Sequence, residues 1–79
     1  MKVEWQPEAL NSWRRHMHDQ QGMHAIAVAV GALAEDPKPP EAFAWGREGD
    51  YRLRVGPYRL MYRVDGDLVL IGHVSRTED

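Results

Sequence analysis

The stretch from Tyr51 to Arg63 alternates arginines with apolar residues on both sides of a Gly56-Pro57 turn. Alternation with a period of two is typical of β-strands whose two faces differ. The stretch therefore predicts a β-hairpin with one apolar face and one cationic face. Because a guanidinium group stays charged and offers paired planar donors, such a face suits phosphate groups. The arginines that the alternation assigns to it are Arg52, Arg54, Arg59 and Arg63.

Two helices are predicted before the hairpin. A short strand over residues 2–5 precedes a helix that begins near Pro7, since proline fits the first helical turn. Its apolar stripe is predicted to be Leu10, Trp13 and Met17. A turn at residues 20–22 leads to a second helix over residues 23–35, whose apolar face is Met23, Ile26, Val30 and Leu33.

Three further strands are predicted at residues 51–55, 58–65 and 68–74, with Asp65-Gly66 as a hairpin turn. The element order indicates an α+β fold in which two N-terminal helices pack on an antiparallel-rich sheet of about four strands. At 79 residues the chain is expected to form a single domain over residues 1–79. The apolar set of the hairpin then faces the helices, and the arginines face away from them.

Composition narrows the function classes. The chain has no cysteine, which fits a reducing cytoplasm, and its longest apolar run, residues 25–34, is shorter than the ~20 residues of a membrane span. We expect a soluble cytoplasmic protein without a membrane anchor, metal or cofactor. The net charge of −2 argues against general nucleic-acid binding, but residues 47–63 hold five arginines and two acids, a local charge of +3.

The hairpin sequence, from Tyr51 to Val64, resembles the core of the RelE/ParE superfamily of toxins from type II toxin-antitoxin systems. Three other segments are similar to that family: residues 33–39 around Asp36-Pro37, Trp45-Gly46, and Ile71-Gly72-His73. The resemblance covers essentially the whole chain. Relatives on this fold cleave messenger RNA, poison gyrase, or do neither, so the fold is better specified than the activity.

The RelE branch of the resemblance implies an endoribonuclease that cuts messenger RNA in the ribosomal A site, where a ribose 2′-hydroxyl attacks the adjacent phosphate. Arg52, Arg54 and Arg59 match the positions at which that family stabilises the developing charge. Arg47 and Arg63 are further candidates for RNA contacts. Trp45 is a candidate for base stacking, with a core anchor as the alternative. The implied partners are the ribosome and a RelB-like antitoxin in a hetero-oligomer.

The resemblance departs from the family pattern at the C-terminal end. An ungapped match places Val74 where the family has an arginine, and it places the family's terminal tyrosine position just beyond Asp79. Arg76 can replace the arginine only if the strand end is shifted or bulged. His73 is a candidate general base. The alternative is a structural histidine, because strand parity directs His73 away from Val74 and toward the helices.

Two functions stay open on the sequence. The first is a ribosome-dependent mRNA interferase, favoured by the three matching arginines. The second is a binding module without catalysis, which holds an antitoxin or another target such as gyrase. The missing tyrosine and the negative net charge favour the second.

Overall fold

A computed structural model describes residues 1–77 of the chain. In chain order it contains β1 (Lys2–Trp5), α1 (Pro7–Arg15), α2 (Gln20–Glu35), β2 (Phe43–Ala44), β3 (Asp50–Val55), β4 (Tyr58–Asp65) and β5 (Leu68–Arg76). The strands form one sheet in the order β1-β5-β4-β3-β2, in which β1 is parallel to β5 and the other pairs are antiparallel. The predicted α+β class is confirmed. The sheet has five strands rather than about four, because the two-residue β2 pairs with β3.

The core lies between α2 and one face of the sheet. Its apolar residues from α2 are the four that the helical spacing predicts, Met23, Ile26, Val30 and Leu33. Across from them the strands contribute Leu53, Tyr58, Leu60, Tyr62, Val69, Ile71 and Val74, all buried. The burial of these apolar side chains is the main contribution to the stability of a small domain.

Helix α2 begins earlier than predicted. The Asp19 side chain accepts a hydrogen bond of 3.0 Å from the backbone N–H of Gly22, which makes Asp19 the N-cap. An aspartate at this position satisfies one of the backbone donors that a helix start leaves free. The Gln20-Gln21-Gly22 segment is therefore the first turn of the helix and not a separate turn.

Helix α1 buries a different face from the one predicted. Leu10 is 38% exposed and Met17, which lies beyond the helix, is 47% exposed, whereas Ala9 and Ser12 are fully buried. The reason is that α1 lies along the edge of β5, where only small residues permit a close approach. Trp13 is half-buried and packs edge to face on Trp5, with ring centroids 5.3 Å apart.

Strand β5 contains a bulge that the sequence did not predict. Tyr62 pairs with Ile71 while the preceding Met61 pairs with His73, so Gly72 is the extra residue. Strand β1 covers the outer edge of β5 only as far as Ile71. Beyond that point α1 covers the edge, and the Ser12 hydroxyl accepts a hydrogen bond of 3.0 Å from the Val74 N–H.

Strand β5 also extends two residues further than predicted, to Arg76. The end of the family motif, around Glu78 and Asp79, lies outside the described residues. Between residues 1 and 77, neither helix has the length and apolar character needed to cross a bilayer.

Candidate functional site

The sheet face opposite the helices carries the arginines, as the alternation predicts. Two rows of paired residues cross it. In one row Arg52 pairs with Met61, and Met61 pairs with His73. In the next, Arg54 pairs with Arg59, and Arg59 pairs with Ser75. Directly paired residues point to the same side of a sheet about 4.8 Å apart per strand, so these side chains share one surface, here called the arginine face.

The arginines on this face differ in the ion pairs and hydrogen bonds that their side chains form. Arg63 forms an ion pair of 2.8 Å with Asp50, and the Nε of Arg54 donates to the carbonyl oxygen of Gly56 at 2.9 Å. Arg52 and Arg59 have no ion-pair partner among residues 1–77. Two guanidinium groups in adjacent rows are therefore available for an anionic ligand.

Exposed aromatic side chains border the arginine face. Phe43 in β2 pairs with Arg52 and is 67% exposed, and Trp45 follows at 43%. Phe43 shares a shallow cavity of about 210 Å³ with Arg52, Arg54 and Arg59. Large exposed aromatics beside cations are a typical arrangement for single-stranded nucleic acid, which offers both phosphates and stacking faces. Trp45 is exposed and is not a core anchor.

His73 lies on the arginine face and not on the helix side. The bulge at Gly72 reverses the strand parity, so that Val74 enters the core and His73 shares the side of Met61. The Nδ1 of His73 is 3.0 Å from the Oε2 of Glu8 in the first turn of α1. Because a carboxylate only accepts hydrogen bonds, Nδ1 is the donor in this contact, and Nε2 is left outside it. About a third of the His73 side chain is exposed.

The role of Glu8 was not predictable from the sequence. An acid in the first helical turn already has a local explanation in the helix dipole. Its contact with His73 spans 65 positions of the chain and arises only when α1 lies along β5. A carboxylate bonded to Nδ1 fixes the orientation and tautomer of an imidazole, as in the catalytic triads of hydrolases.

Arg76 is not brought together with the other candidates. The bulge places it on the side of Tyr58, with which it pairs, and away from Arg59. Its guanidinium donates to the Tyr58 hydroxyl at 3.3 Å and lies 3.9 Å from Asp19. Tyr58 in turn donates to Asp19 at 2.7 Å, a hydrogen bond that raises the pKa of Tyr58 and lowers the pKa of Asp19. Arg76 thus contacts Tyr58 of β4 and the N-cap residue of α2.

Similar proteins are toxins of bacterial and archaeal toxin-antitoxin systems. Residues 3–79 match the family model described as the ParE toxin of the type II toxin-antitoxin system parDE. No curated protein matches the sequence significantly.

Solved structures agree in fold. The isolated RelE toxin of E. coli has a TM-score of 0.85 at 20% identity, covering 99% of this chain and 85% of RelE. A chain of the RelBE2 toxin-antitoxin complex from Mycobacterium tuberculosis has a TM-score of 0.78 at 28% identity, covering 99% and 92%. A chain of the ParDE system of P. aeruginosa has a TM-score of 0.78 at 17% identity, covering 99% and 97%. With the family model matching nearly the full length, the chain belongs to the ParE toxin family of type II toxin-antitoxin systems, within the RelE/ParE superfamily.

Proposed function

We propose that this toxin is a ribosome-dependent mRNA endoribonuclease, acting in the cytoplasm and held inactive by a cognate antitoxin. The observation that carries the proposal is the sharing of one sheet face by Arg52, Arg59 and a His73 bonded to Glu8. This set provides two cations for a phosphate and one oriented proton acceptor. Toxins of similar fold from E. coli and Pyrococcus horikoshii have been solved in complexes with their RelB antitoxins.

In the proposed reaction the 2′-oxygen of the ribose attacks the adjacent phosphorus and the bond to the 5′-oxygen breaks. The lone pair on Nε2 of His73 takes the 2′-hydroxyl proton, while Glu8 holds the imidazole in place through Nδ1. Arg52 and Arg59 stabilise the extra negative charge of the phosphorane-like transition state. The products are a 2′,3′-cyclic phosphate and a 5′-hydroxyl, whose proton comes from solvent.

The test is cleavage of a defined messenger on purified ribosomes, with 5′ ends mapped by primer extension. Arg59→Ala should slow cleavage by about 10²–10³-fold, the usual effect of removing one preorganised charge-stabilising group. His73→Gln should slow it by about 10²–10⁴-fold, the range for a general base. Arg14→Ala is the matched control, because Arg14 is an exposed arginine on α1 away from this face. An uncut message with the wild-type toxin would refute the proposal.

A second candidate is a toxin that binds its target without cleaving RNA, such as a gyrase poison. It is favoured by the C-terminal end of β5, where Val74 is buried and Arg76 contacts Asp19 on the other face. The arginine that the resemblance implies is therefore missing from the arginine face. Inducing the toxin alone and with its antitoxin separates the two: codon-phased mRNA ends indicate the nuclease, and DNA damage with intact messages indicates the gyrase poison.

A further inference from the structure

A cavity of about 220 Å³ opens in the arginine face beside the bulge. Met61 and Leu70 form its apolar part, Trp45 borders it, and Gly72 lies where a side chain would otherwise project. A Cβ built on Gly72 would lie 3.6 Å from the side-chain oxygen of Gln6, so the missing side chain leaves room next to that amide. Drug-sized ligands occupy clefts of about 300–1,000 Å³, so this cavity suits a smaller group.

The surroundings of the cavity favour a planar, uncharged group attached to a phosphate. Trp45 offers an exposed indole ring for stacking. Met61, which lines the cavity, pairs directly with Arg52, so the cavity adjoins the cations proposed to hold the scissile phosphate. Arg47, Arg63 and Asp50 also line the cavity, and because Arg63 is ion-paired with Asp50, the net positive charge at its rim comes from Arg47.

Gln6 is placed to read the group in the cavity. Its backbone is fixed, because its N–H donates to the Ile71 carbonyl oxygen at 2.9 Å. Although Gln6 occupies the N-cap position of α1, its side chain makes no capping hydrogen bond. A glutamine amide combines a donor and an acceptor, and its usual partner among the bases is adenine, which presents the N6 donor beside the N7 acceptor.

We propose that this cavity seats one adenine base of a single-stranded RNA, stacked on Trp45 and hydrogen-bonded by Gln6. The inference rests on the proposed function, since the cavity would be the base-reading part of the same RNA interface. It adds a specificity residue, Gln6, that the alternation of the hairpin did not indicate.

Binding of labelled RNA trinucleotides tests the proposal without ribosomes. Each trinucleotide has A, G, C or U at its centre and a 2′-O-methyl group there to prevent cleavage, and the affinity is measured by fluorescence anisotropy. Trp45→Ala should weaken binding of all four by about tenfold or more, and Trp45→Phe should retain most of the affinity. Gln6→Ala should remove the preference for adenine, whereas Gln21→Ala, an exposed glutamine on α2, should keep it.

Gly72→Ala is a second variant that tests the proposal, because it adds a methyl group inside the cavity. Its Cβ would make ordinary contacts of 3.5 Å with Met61 O and 3.6 Å with Gln6 Oε1, and Gly72 has no positive φ, so the fold should tolerate it. The variant should melt like the wild type and bind trinucleotides less tightly.

The inference would be overturned by any of these results: no trinucleotide binding by the wild type, unchanged affinity in both Trp45→Ala and Gly72→Ala, or an adenine preference that survives Gln6→Ala. Loss of antitoxin binding instead of RNA binding in Trp45→Ala would assign the cavity to the antitoxin and also overturn it. The nuclease proposal fails separately. If the toxin binds adenine-centred trinucleotides through Trp45 but leaves ribosome-bound messages uncut, the proposal for the cavity stands and the nuclease proposal is refuted.

Discussion

Replacing Ser12 with alanine tests the contact that closes the edge of β5. The Ser12 hydroxyl is fully buried, donates to the Ala9 carbonyl oxygen at 3.0 Å and accepts from the Val74 N–H at 3.0 Å. Alanine leaves that buried N–H without a partner, which costs about 1–3 kcal/mol. The higher helix propensity of alanine offsets less than about 0.7 kcal/mol of this loss. The expected net destabilisation is therefore about 1–2 kcal/mol.

For a domain of this size each kcal/mol corresponds to about 4–8 °C in Tm. Ser12→Ala should therefore lower Tm by about 5–15 °C in thermal unfolding followed by circular dichroism. Asn11→Ala is the matched control, since Asn11 is the exposed neighbour on α1 and its replacement changes only helix propensity. Equal melting temperatures for the two variants would refute the view that the Ser12 hydroxyl completes the edge of β5.

Three further predictions concern stability. Gly22→Ala should destabilise the fold by about 1–3 kcal/mol in urea unfolding, because its Cβ would clash with Tyr58 and Asp19. Gly31 has open space around it, so Gly31→Ala should instead stabilise the fold by about 0.4–1 kcal/mol. The hydrogen bonds from Tyr58 and Gly22 lower the pKa of Asp19. Its carboxylate therefore stabilises the fold at any pH above the pKa that Asp19 has in the unfolded chain. This contribution to stability is lost as the pH falls through the pKa that Asp19 has in the folded protein. Asp19→Asn should therefore have a flatter acid limb in Tm against pH, and a limb as steep as that of the wild type would contradict this. Burial raises the pKa of Tyr62 to about 12, so the folded state favours the protonated phenol and stability should fall as pH rises above about 10. Tyr62→Phe should lessen that alkaline loss, measured by the same melting assay.

The alternation in the sequence was sufficient to predict the cationic side of the hairpin. It predicts which residues point away from the core because a regular strand has a fixed period, and Arg52 to Arg63 lie in regular strands. The same rule failed at His73, since the glycine before it is an extra residue and every side chain after a bulge changes face. A lone glycine in a strand is only a weak signal of such a bulge.

Tertiary placement explains the other differences. The helical spacing of Leu10 and Met17 suggested a buried stripe, but α1 packs against a strand edge, where Ala9 and Ser12 allow the backbones to approach. Glu8 has a sufficient local role at the helix start, and its contact with His73 depends on where α1 lies. The burial of Ala9 and Ser12 and the contact of Glu8 with His73 could be found only from the packed structure.

The pairing of β1 with β5 has a consequence for how the toxin is made. Residues 2–5 leave a translating ribosome well before their partners, residues 68–71, which lie 66 positions later in the chain. Contacts between such distant segments form late and slowly, because the whole intervening chain must be ordered or looped. Only after that closure does β1 cover the outer edge of β5 at residues 68–71. A nascent chain that has not yet reached β5 therefore lacks the strand that joins β1 to the rest of the sheet.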